Sequence, residues 1–353
     1  MIPVPVRDDL RALEGYHSPQ VNVRVRLNTN ESPTPPPAAW RDAFASELSR
    51  VEWHRYPDRA ASELRSAIAD LHGVLPTQVF AANGSNEVLQ TLLLTYAGPG
   101  RTVATFEPTY QLHGHIARLT GATVAEGERA ADFTLDLAEV QRVVSRSQPT
   151  VTFLCSPNNP TGLEEPEANV RAVLAMVPGL LVVDEAYGQF ARWSALGMIS
   201  EDLPLVVTRT FSKTWSMAAA RLGYLVGPAW LVAELDKVVL PYHLDVAKQI
   251  AGRLALRFVD DMESRVNTII AERERLVQRM SSLHMEVFPS GANFVLFRPT
   301  AMAGRAVWQQ LVDRSILIRD CSGWPRLENC LRITIGTDAE NDELMTALEE
   351  IVR

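Results

Sequence analysis

The feature that most constrains this chain is a set of short runs with no polar side. Leu180-Leu181-Val182-Val183 is continuously apolar, and Val151-Thr152-Phe153-Leu154 and Leu205-Val206-Val207 are nearly so. A strand of this kind cannot turn one face to water. It belongs in a mostly parallel sheet covered by helices on both sides. Helical stretches alternate with the runs from Val79 onward: Val79-Phe80-Ala81-Ala82 precedes Glu87 to Tyr96, and Thr102 to Phe106 precedes Tyr110 to Leu119. This is βα alternation, and it defines an α/β fold.

At 353 residues the chain exceeds the roughly 250–300 at which a single core stops growing, so a second, smaller domain is expected. The texture changes after Pro241. Charged helices fill about Val246 to Met280, followed by Phe294-Val295-Leu296-Phe297, Ile316-Leu317-Ile318 and Leu331-Arg332-Ile333-Thr334-Ile335, which reads as an α+β unit. Thr337-Asp338-Ala339-Glu340 carries the capping-box spacing that opens a last helix. The first 40 residues are Pro-rich and lack periodicity, as an extended arm laid over another surface does. The expected division is an arm at 1–40, a large domain at 41–243 and a small domain at 244–353.

Charge and cysteine usage exclude several partners. With 34 Lys+Arg against 42 Asp+Glu the formal charge is -8, so a phosphate backbone is repelled and nucleic acid is not an expected partner. Cys155, Cys321 and Cys330 are three in number and lack metal-ligand spacing, which suits a reducing compartment. The start shows no basic region followed by an apolar one, and the stretch Ala172 to Val183 is short and interrupted by Pro178-Gly179. A cytoplasmic protein without a membrane segment is expected.

In a covered parallel sheet, ligands sit beyond the carboxyl ends of the strands. There the runs lead to Asp184-Glu185-Ala186-Tyr187, to Asn158-Asn159-Pro160-Thr161-Gly162 and to Thr210-Phe211-Ser212-Lys213. Each element has an ordinary alternative: Asp184 as a helix cap, Lys213 as a surface charge, Asn83-Gly84-Ser85 as a common turn. Together they offer more. A carboxylate near a dry sheet end needs a cationic partner, and a protonated pyridine nitrogen is one. A lysine can couple to an aldehyde and then carry a proton. The turn at Asn83-Gly84-Ser85-Asn86-Glu87 opens a helix, and Arg221 adds a cation, which is what a phosphate group requires.

These segments resemble the fold-type I pyridoxal-phosphate-dependent aminotransferases, and among them the histidinol-phosphate branch. The resemblance covers nearly the whole chain. It includes Leu27-Asn28-Thr29-Asn30-Glu31-Ser32-Pro33, Arg55-Tyr56-Pro57-Asp58, Asn83 to Glu87, Pro108-Thr109-Tyr110, Ser156 to Gly162, Asp184 to Tyr187, Ser212-Lys213 with Arg221-Leu222-Gly223-Tyr224, and Leu331 to Gly336. It implies a three-layer large domain and a smaller α+β domain, with pyridoxal 5'-phosphate joined to Lys213. It further implies Asp184 on the pyridine nitrogen, Asn159 and Tyr187 on the ring hydroxyl, and Tyr110 stacked on the ring. Gly84, Ser85, Asn86, Thr210, Ser212 and Arg221 would form the phosphate cup, with Tyr56 entering from the second subunit of a homodimer. Arg332 would bind the substrate carboxylate, Arg319 would assist with phosphate, and Asn30 and Glu31 would face the substrate. From pattern alone Arg332 suits an ion-pair partner in a strand equally well.

Four positions depart from the family pattern. Ala218-Ala219-Ala220-Arg221 replaces a segment resembling Ala-Gly-Leu-Arg, Asn86 stands where Asp is frequent, and Ser32 stands where some relatives carry Tyr. The implied activity is amino transfer between glutamate/2-oxoglutarate and histidinol phosphate/imidazole acetol phosphate, in histidine biosynthesis. An aromatic amino-acid aminotransferase is the alternative, and a pyridoxal-phosphate decarboxylase of the threonine-phosphate type ranks below it. A ligand sensor in a transcription regulator requires a basic DNA-binding segment, which is not evident. Neither Gly-x-Gly-x-x-Gly after an early strand nor His-Glu-x-x-His occurs, which sets aside a nicotinamide dehydrogenase and a metallohydrolase.

Overall fold

The computed structural model describes residues 4–11, 13, 15 and 21–352. Part of the Pro-rich arm, including Pro3 and Pro19, lies outside the described residues. Two sheets organise the rest. The larger is built from β2 (Val79–Ala82), β3 (Thr102–Glu107), β4 (Thr123–Glu128), β5 (Val151–Cys155), β6 (Leu180–Asp184), β7 (Leu205–Thr210) and β8 (Gly223–Val226). Its order is β2-β8-β7-β6-β5-β3-β4. Strands β4, β3, β5, β6 and β7 run parallel, and β8 is antiparallel to both β2 and β7.

The apolar runs are explained by what covers them. Phe80, Val103, Val151, Phe153, Leu180, Val182 and Val206 pack with α3 (Gly84–Tyr96), α4 (Leu112–Leu119) and α7 (Ala229–Val238). The residues between them, Ala104, Leu154, Leu181, Val183, Leu205 and Val207, pack with α5 (Leu137–Ser147) and α6 (Glu167–Met176). Alternate side chains thus enter two different buried layers, and no position on β6 before its last, Asp184, is polar. Strand β4 is one of the two edges, and its largely exposed Thr-Val-Ala-Glu-Gly-Glu sequence is correspondingly polar.

The smaller sheet has the order β1-β11-β12-β10-β9, with β1 (Val25–Leu27), β9 (Met285–Val287), β10 (Phe294–Pro299), β11 (Ile316–Asp320) and β12 (Leu331–Thr334). It packs with α9 (Val259–Met280), α10 (Gly304–Asp313) and α11 (Asp338–Ile351). The capping box of α11 is formed in both directions, between Thr337 and Glu340. The region read as long charged helices is two: α8 (Val246–Ala255) ends before α9 begins, and it packs on α1 (Ala38–Leu48) and α2 (Ser62–His72). Strand β1 comes from the N-terminal segment and pairs parallel with β11, Val25 opposite Ile316 and Leu27 opposite Ile318. That pairing carries residues 28–31 directly to the gap between the two sheets. Among the described residues no helix is long and apolar enough to cross a membrane.

Candidate active site

A cavity of about 440 Å³ opens where the carboxyl ends of β5, β6 and β7 face the small sheet. Asn30, Glu31, Ser85, Asn86, Tyr110, Asn159, Asp184, Tyr187, Thr210, Ser212, Lys213, Arg221 and Arg332, all singled out in the sequence, line it together.

Asp184 ends β6, in register with Cys155 of β5 and Thr208 of β7. It is 2% exposed. Its Oδ1 accepts the Ala186 amide at 3.1 Å and its Oδ2 lies 2.8 Å from His113 Nε2. No Arg or Lys pairs with it among the described residues. A buried carboxylate without a cationic side chain is costly, and a cationic ring nitrogen in the cavity would balance it. His113 was not anticipated from the sequence. It is fully buried, stacks on Phe153 with ring centroids 4.4 Å apart and meets Tyr110 edge-on at 5.3 Å. The signal was its position: it lies in the first turn of α4, three residues after Tyr110, close enough for the two rings to meet.

Lys213 follows β7 and points its Nζ at the Thr29 carbonyl, 2.9 Å away, and over the Tyr187 ring at 5.7 Å. Desolvation, reinforced by Arg332, lowers its pKa to about 7, so much of the amine is neutral and nucleophilic at neutral pH. In the cofactor-free protein, acylation of Lys213 is therefore expected to follow a midpoint near pH 7. Competitive labelling with acetic anhydride, read by mass spectrometry across pH 5–11, checks this; a midpoint above about 10, the free-lysine range, contradicts it.

Tyr187 lies in the same wall. Its Oη accepts from Asn30 Nδ2 at 2.9 Å, and burial pushes its pKa up to about 12, so the phenol keeps its proton as a donor. Asn30 sits at φ 55, a left-handed conformation that Asn tolerates. Its backbone N–H donates to Thr334 Oγ1 at 2.9 Å, tying the arm to β12.

The anion cradle is formed at the first turn of α3. Asn83 does not cap that helix with its side chain; its N–H and Nδ2 donate to Glu87 Oε2 instead, at 2.6 and 2.7 Å. The turn of Ser85 and Asn86 consequently faces the cavity with the positive end of the helix. Arg221 donates to Ser212 Oγ and to the Ala218 carbonyl, both at 3.2 Å, and Ser212 N–H donates to Thr210 Oγ1 at 3.1 Å. Gly84 is outside the lining but shapes it: it sits at φ 79, which other residues rarely adopt, and a Cβ there would stand 2.7 Å from Arg221 Nη2 and push the guanidinium aside. At Gly223 a Cβ would stand 2.3 Å from the Ser85 nitrogen, so β8 can pass directly beneath the turn only as glycine. Tyr110 Oη donates to Asn86 Oδ1 at 3.2 Å, which gives the Asn at this departure from the family pattern a definite partner.

Arg332 lies on β12. It donates to Asn159 Oδ1 and, at 3.0 Å, to the Asn28 carbonyl, while its buried Nε has no partner. No carboxylate pairs with it among the described residues, so it is not an ion-pair partner within this chain, and its charge faces the cavity uncompensated. Arg319 is the Cα partner of Arg332 across β11 and β12; it lies beside the cavity, outside its lining. Tyr56 is 80% exposed, stacks on Tyr242 at 4.5 Å and does not line this chain's own cavity. Ser32 also stands away from it, accepting from Ser216 Oγ at 2.8 Å, whereas Ala218 and Ala219 form part of the wall.

A reactive amine, a buried carboxylate and an anion cradle with a fixed guanidinium fit pyridoxal phosphate end to end, and on this fold they define an aminotransferase-type site. A family model described as aminotransferase class I and II matches residues 23–348, and the chain belongs to that family. It is 44% identical to histidinol-phosphate aminotransferase of Frankia casuarinae, over 98% of this chain and 89% of that one. It is 45% identical to the histidinol-phosphate aminotransferase of Mycobacterium marinum, over 99% and 92%. The fold is shared with histidinol-phosphate aminotransferase from Sinorhizobium meliloti, solved with pyridoxal-5'-phosphate, at TM-score 0.88 and 24% identity, covering 98% of this chain and 97% of that one. It is shared too with aspartate aminotransferase from Thermotoga maritima, at TM-score 0.83 and 22% identity, covering 94% and 92%.

Proposed function

We propose that this chain is a pyridoxal-phosphate-dependent histidinol-phosphate aminotransferase, exchanging an amino group between glutamate/2-oxoglutarate and histidinol phosphate/imidazole acetol phosphate in histidine biosynthesis. The observation that carries it is Arg332, a buried guanidinium with no carboxylate partner and an unpaired Nε, in the lining of a site built for a phosphorylated aldehyde cofactor. Similarity above 40% over almost the whole chain to enzymes of that name supports the choice of substrates.

Bound here, pyridoxal phosphate supplies an aldehyde that couples to amines and a conjugated ring that takes up electrons released at the amine-bearing carbon. The protein's own groups do the remainder. Lys213 would hold the cofactor through its amine, and the same amine would carry a proton to and from the substrate α-carbon. Asp184, fixed by His113 and the Ala186 amide, keeps a positive charge on the ring nitrogen. Tyr187 donates a hydrogen bond at the ring hydroxyl. Ser85, Asn86, Thr210, Ser212 and Arg221 anchor the phosphate. Arg332 receives the carboxylate of glutamate and, in the other half-reaction, the phosphate of the second substrate, with Arg319 adding charge behind it. Neither substrate displaces a salt bridge, because Asn159 and Asn28 hold the guanidinium through neutral oxygens.

Exposed Tyr56 is assigned to the cavity of a second copy in a homodimer, a placement supported by its position outside its own site and by the neighbouring exposed Trp53, Leu240 and Tyr242. The setting proposed is cytoplasmic, in keeping with three buried free thiols.

The direct test compares single-donor rates for histidinol phosphate, phenylalanine and glutamate in the loaded enzyme. Histidinol phosphate is expected to exceed phenylalanine by about 10-fold or more in kcat/KM, since its nearly dianionic phosphate meets Arg332 with Arg319 behind it where phenylalanine offers a single carboxylate charge, and each step of about 1.4 kcal/mol is tenfold in rate. The Arg332→Ala variant is expected to raise KM for glutamate far more than it weakens cofactor binding. Faster reaction with phenylalanine, or an unchanged glutamate KM in that variant, contradicts the assignment.

A further inference from the structure

One wall of the cavity comes from a residue with no part in holding the cofactor. Trp324 lines it from the loop 321–330 that joins β11 to β12. The loop is clamped at its base, where Cys321 N–H donates to the Cys330 carbonyl at 3.0 Å. It is closed around the tryptophan by Trp324 N–H to the Cys321 carbonyl at 2.9 Å and Leu327 N–H to the Trp324 carbonyl at 3.2 Å. Cys321, Leu327 and Cys330 are fully buried in a small cluster with Phe288 and Leu296, which Phe133 of the large domain joins. Its ring lies 5.0 Å from that of Phe288. Two residues beyond the tryptophan, the Arg326 guanidinium crosses to the large domain and donates to the carbonyls of Arg129 and, at 3.3 Å, Ala130.

The indole is therefore a rigid wall fastened to both domains, and a contact that is already ordered costs little to use. Its surroundings say what it suits. Tyr110 and Tyr187, the other large aromatic groups of the lining, are committed to Asn86 and Asn30 through their hydroxyls. Trp324 instead keeps company with the anion-binding side: the Arg319 guanidinium lies 5.8 Å from its ring centroid, and Arg319 is paired in register with Arg332. A flat apolar face next to two fixed cations matches a ligand that carries a planar ring and an anionic group together.

We propose that Trp324 is the specificity-determining residue that separates ring-bearing substrates from glutamate: the substrate's heteroaromatic ring packs on the indole while its anionic end is held at Arg332, with the charge of Arg319 behind it. The inference rests on the functional reading above. Glutamate has no ring and gains nothing from that face, so the tryptophan acts on the ratio of the two half-reactions.

The test uses the loaded enzyme and measures each half-reaction separately, by the absorbance change on mixing with histidinol phosphate alone or glutamate alone. Equilibrium titration of histidinol phosphate into Lys213→Ala backgrounds adds a binding readout that does not depend on turnover. In W324A and W324L the ratio of histidinol-phosphate to glutamate kcat/KM is expected to fall about 10-fold, and W324F is expected to restore most of it. W324L preserves bulk, so it decides the matter if W324A does not fold. An unchanged ratio in W324L, or an equal loss in both half-reactions that W324F does not rescue, overturns the inference and leaves the functional reading intact. A parent enzyme that reacts with glutamate but is inert toward histidinol phosphate overturns both.

Discussion

Lys213→Ala is expected to lower kcat at least about 10⁴-fold while leaving a folded, cofactor-binding protein. Two functions are lost together, capture of the aldehyde and transfer of the α-proton, and the second alone contributes about 10²–10⁴ in such enzymes. The fold is spared because the lysine forms one hydrogen bond, to the Thr29 carbonyl, and burying its amine opposes stability. The sign follows from its pKa, which falls in the folded state to about 7. Between that value and the unfolded lysine value near 10.4 the unfolded chain binds the extra proton, so folding becomes more favourable as pH rises through this window. Removing the amine removes the penalty that is present below it. Turnover measured with glutamate, alongside urea denaturation at pH 6 and pH 9, checks both halves. Residual activity above a hundredth of the parent, or a strongly destabilised variant at pH 6, contradicts the role.

Asp184→Asn is expected to reduce kcat by about 10²–10³-fold with only a modest loss of cofactor. Removing one partner of a buried charge pair costs about 3–5 kcal/mol, and each 1.4 kcal/mol is tenfold in rate. The amide keeps the size of the carboxylate and can still meet His113 and the Ala186 N–H, so the loss falls on the charge. His113→Phe tests the support separately. It leaves the carboxylate in place but removes the 2.8 Å contact, and a smaller loss than that of Asp184→Asn is expected. Single-turnover rates with glutamate distinguish the three proteins, and an Asp184→Asn variant within about tenfold of the parent rate contradicts a chemical role for the charge.

Much of this site was readable because the chemistry demands residue types that the strand ends expose. Asp184, Lys213 and Tyr187 follow continuous apolar runs, and those runs exist because both faces of β6 and β7 are covered. What stayed hidden lacked such a context. Strand β4 alternates Thr, Val, Ala, Glu, Gly and Glu at the sheet edge, and half-exposed edges produce no apolar run. His113 is addressed to Asp184 across 71 positions, a pairing that no local pattern encodes. The division between α8 and α9 is likewise silent, since both segments are amphipathic and the intervening Leu256-Arg257-Phe258 contains neither Gly nor Pro. Trp324 reads as an isolated loop aromatic until the pairing of β11 with β12 brings it to the cavity. Arg332 could be resolved between ion-pair partner and anion receptor only once its neighbours, two asparagines, were in view.

The parallel pairing of β1 with β11 has a consequence for synthesis. Val25 leaves the ribosome some 290 residues ahead of Ile316, its partner, and domains generally fold in the order they emerge. The seven-stranded sheet can close, with Asp184 and Lys213 in place, while the N-terminal segment still has nothing to join. Asn28, Asn30 and Glu31 reach their stations only when the last hundred residues have been made. A nascent chain stalled before β11 would thus carry Lys213 without Arg332 and without the Thr29 carbonyl set over it, so the reactivity of the amine and the grip on a substrate arrive together, late in translation.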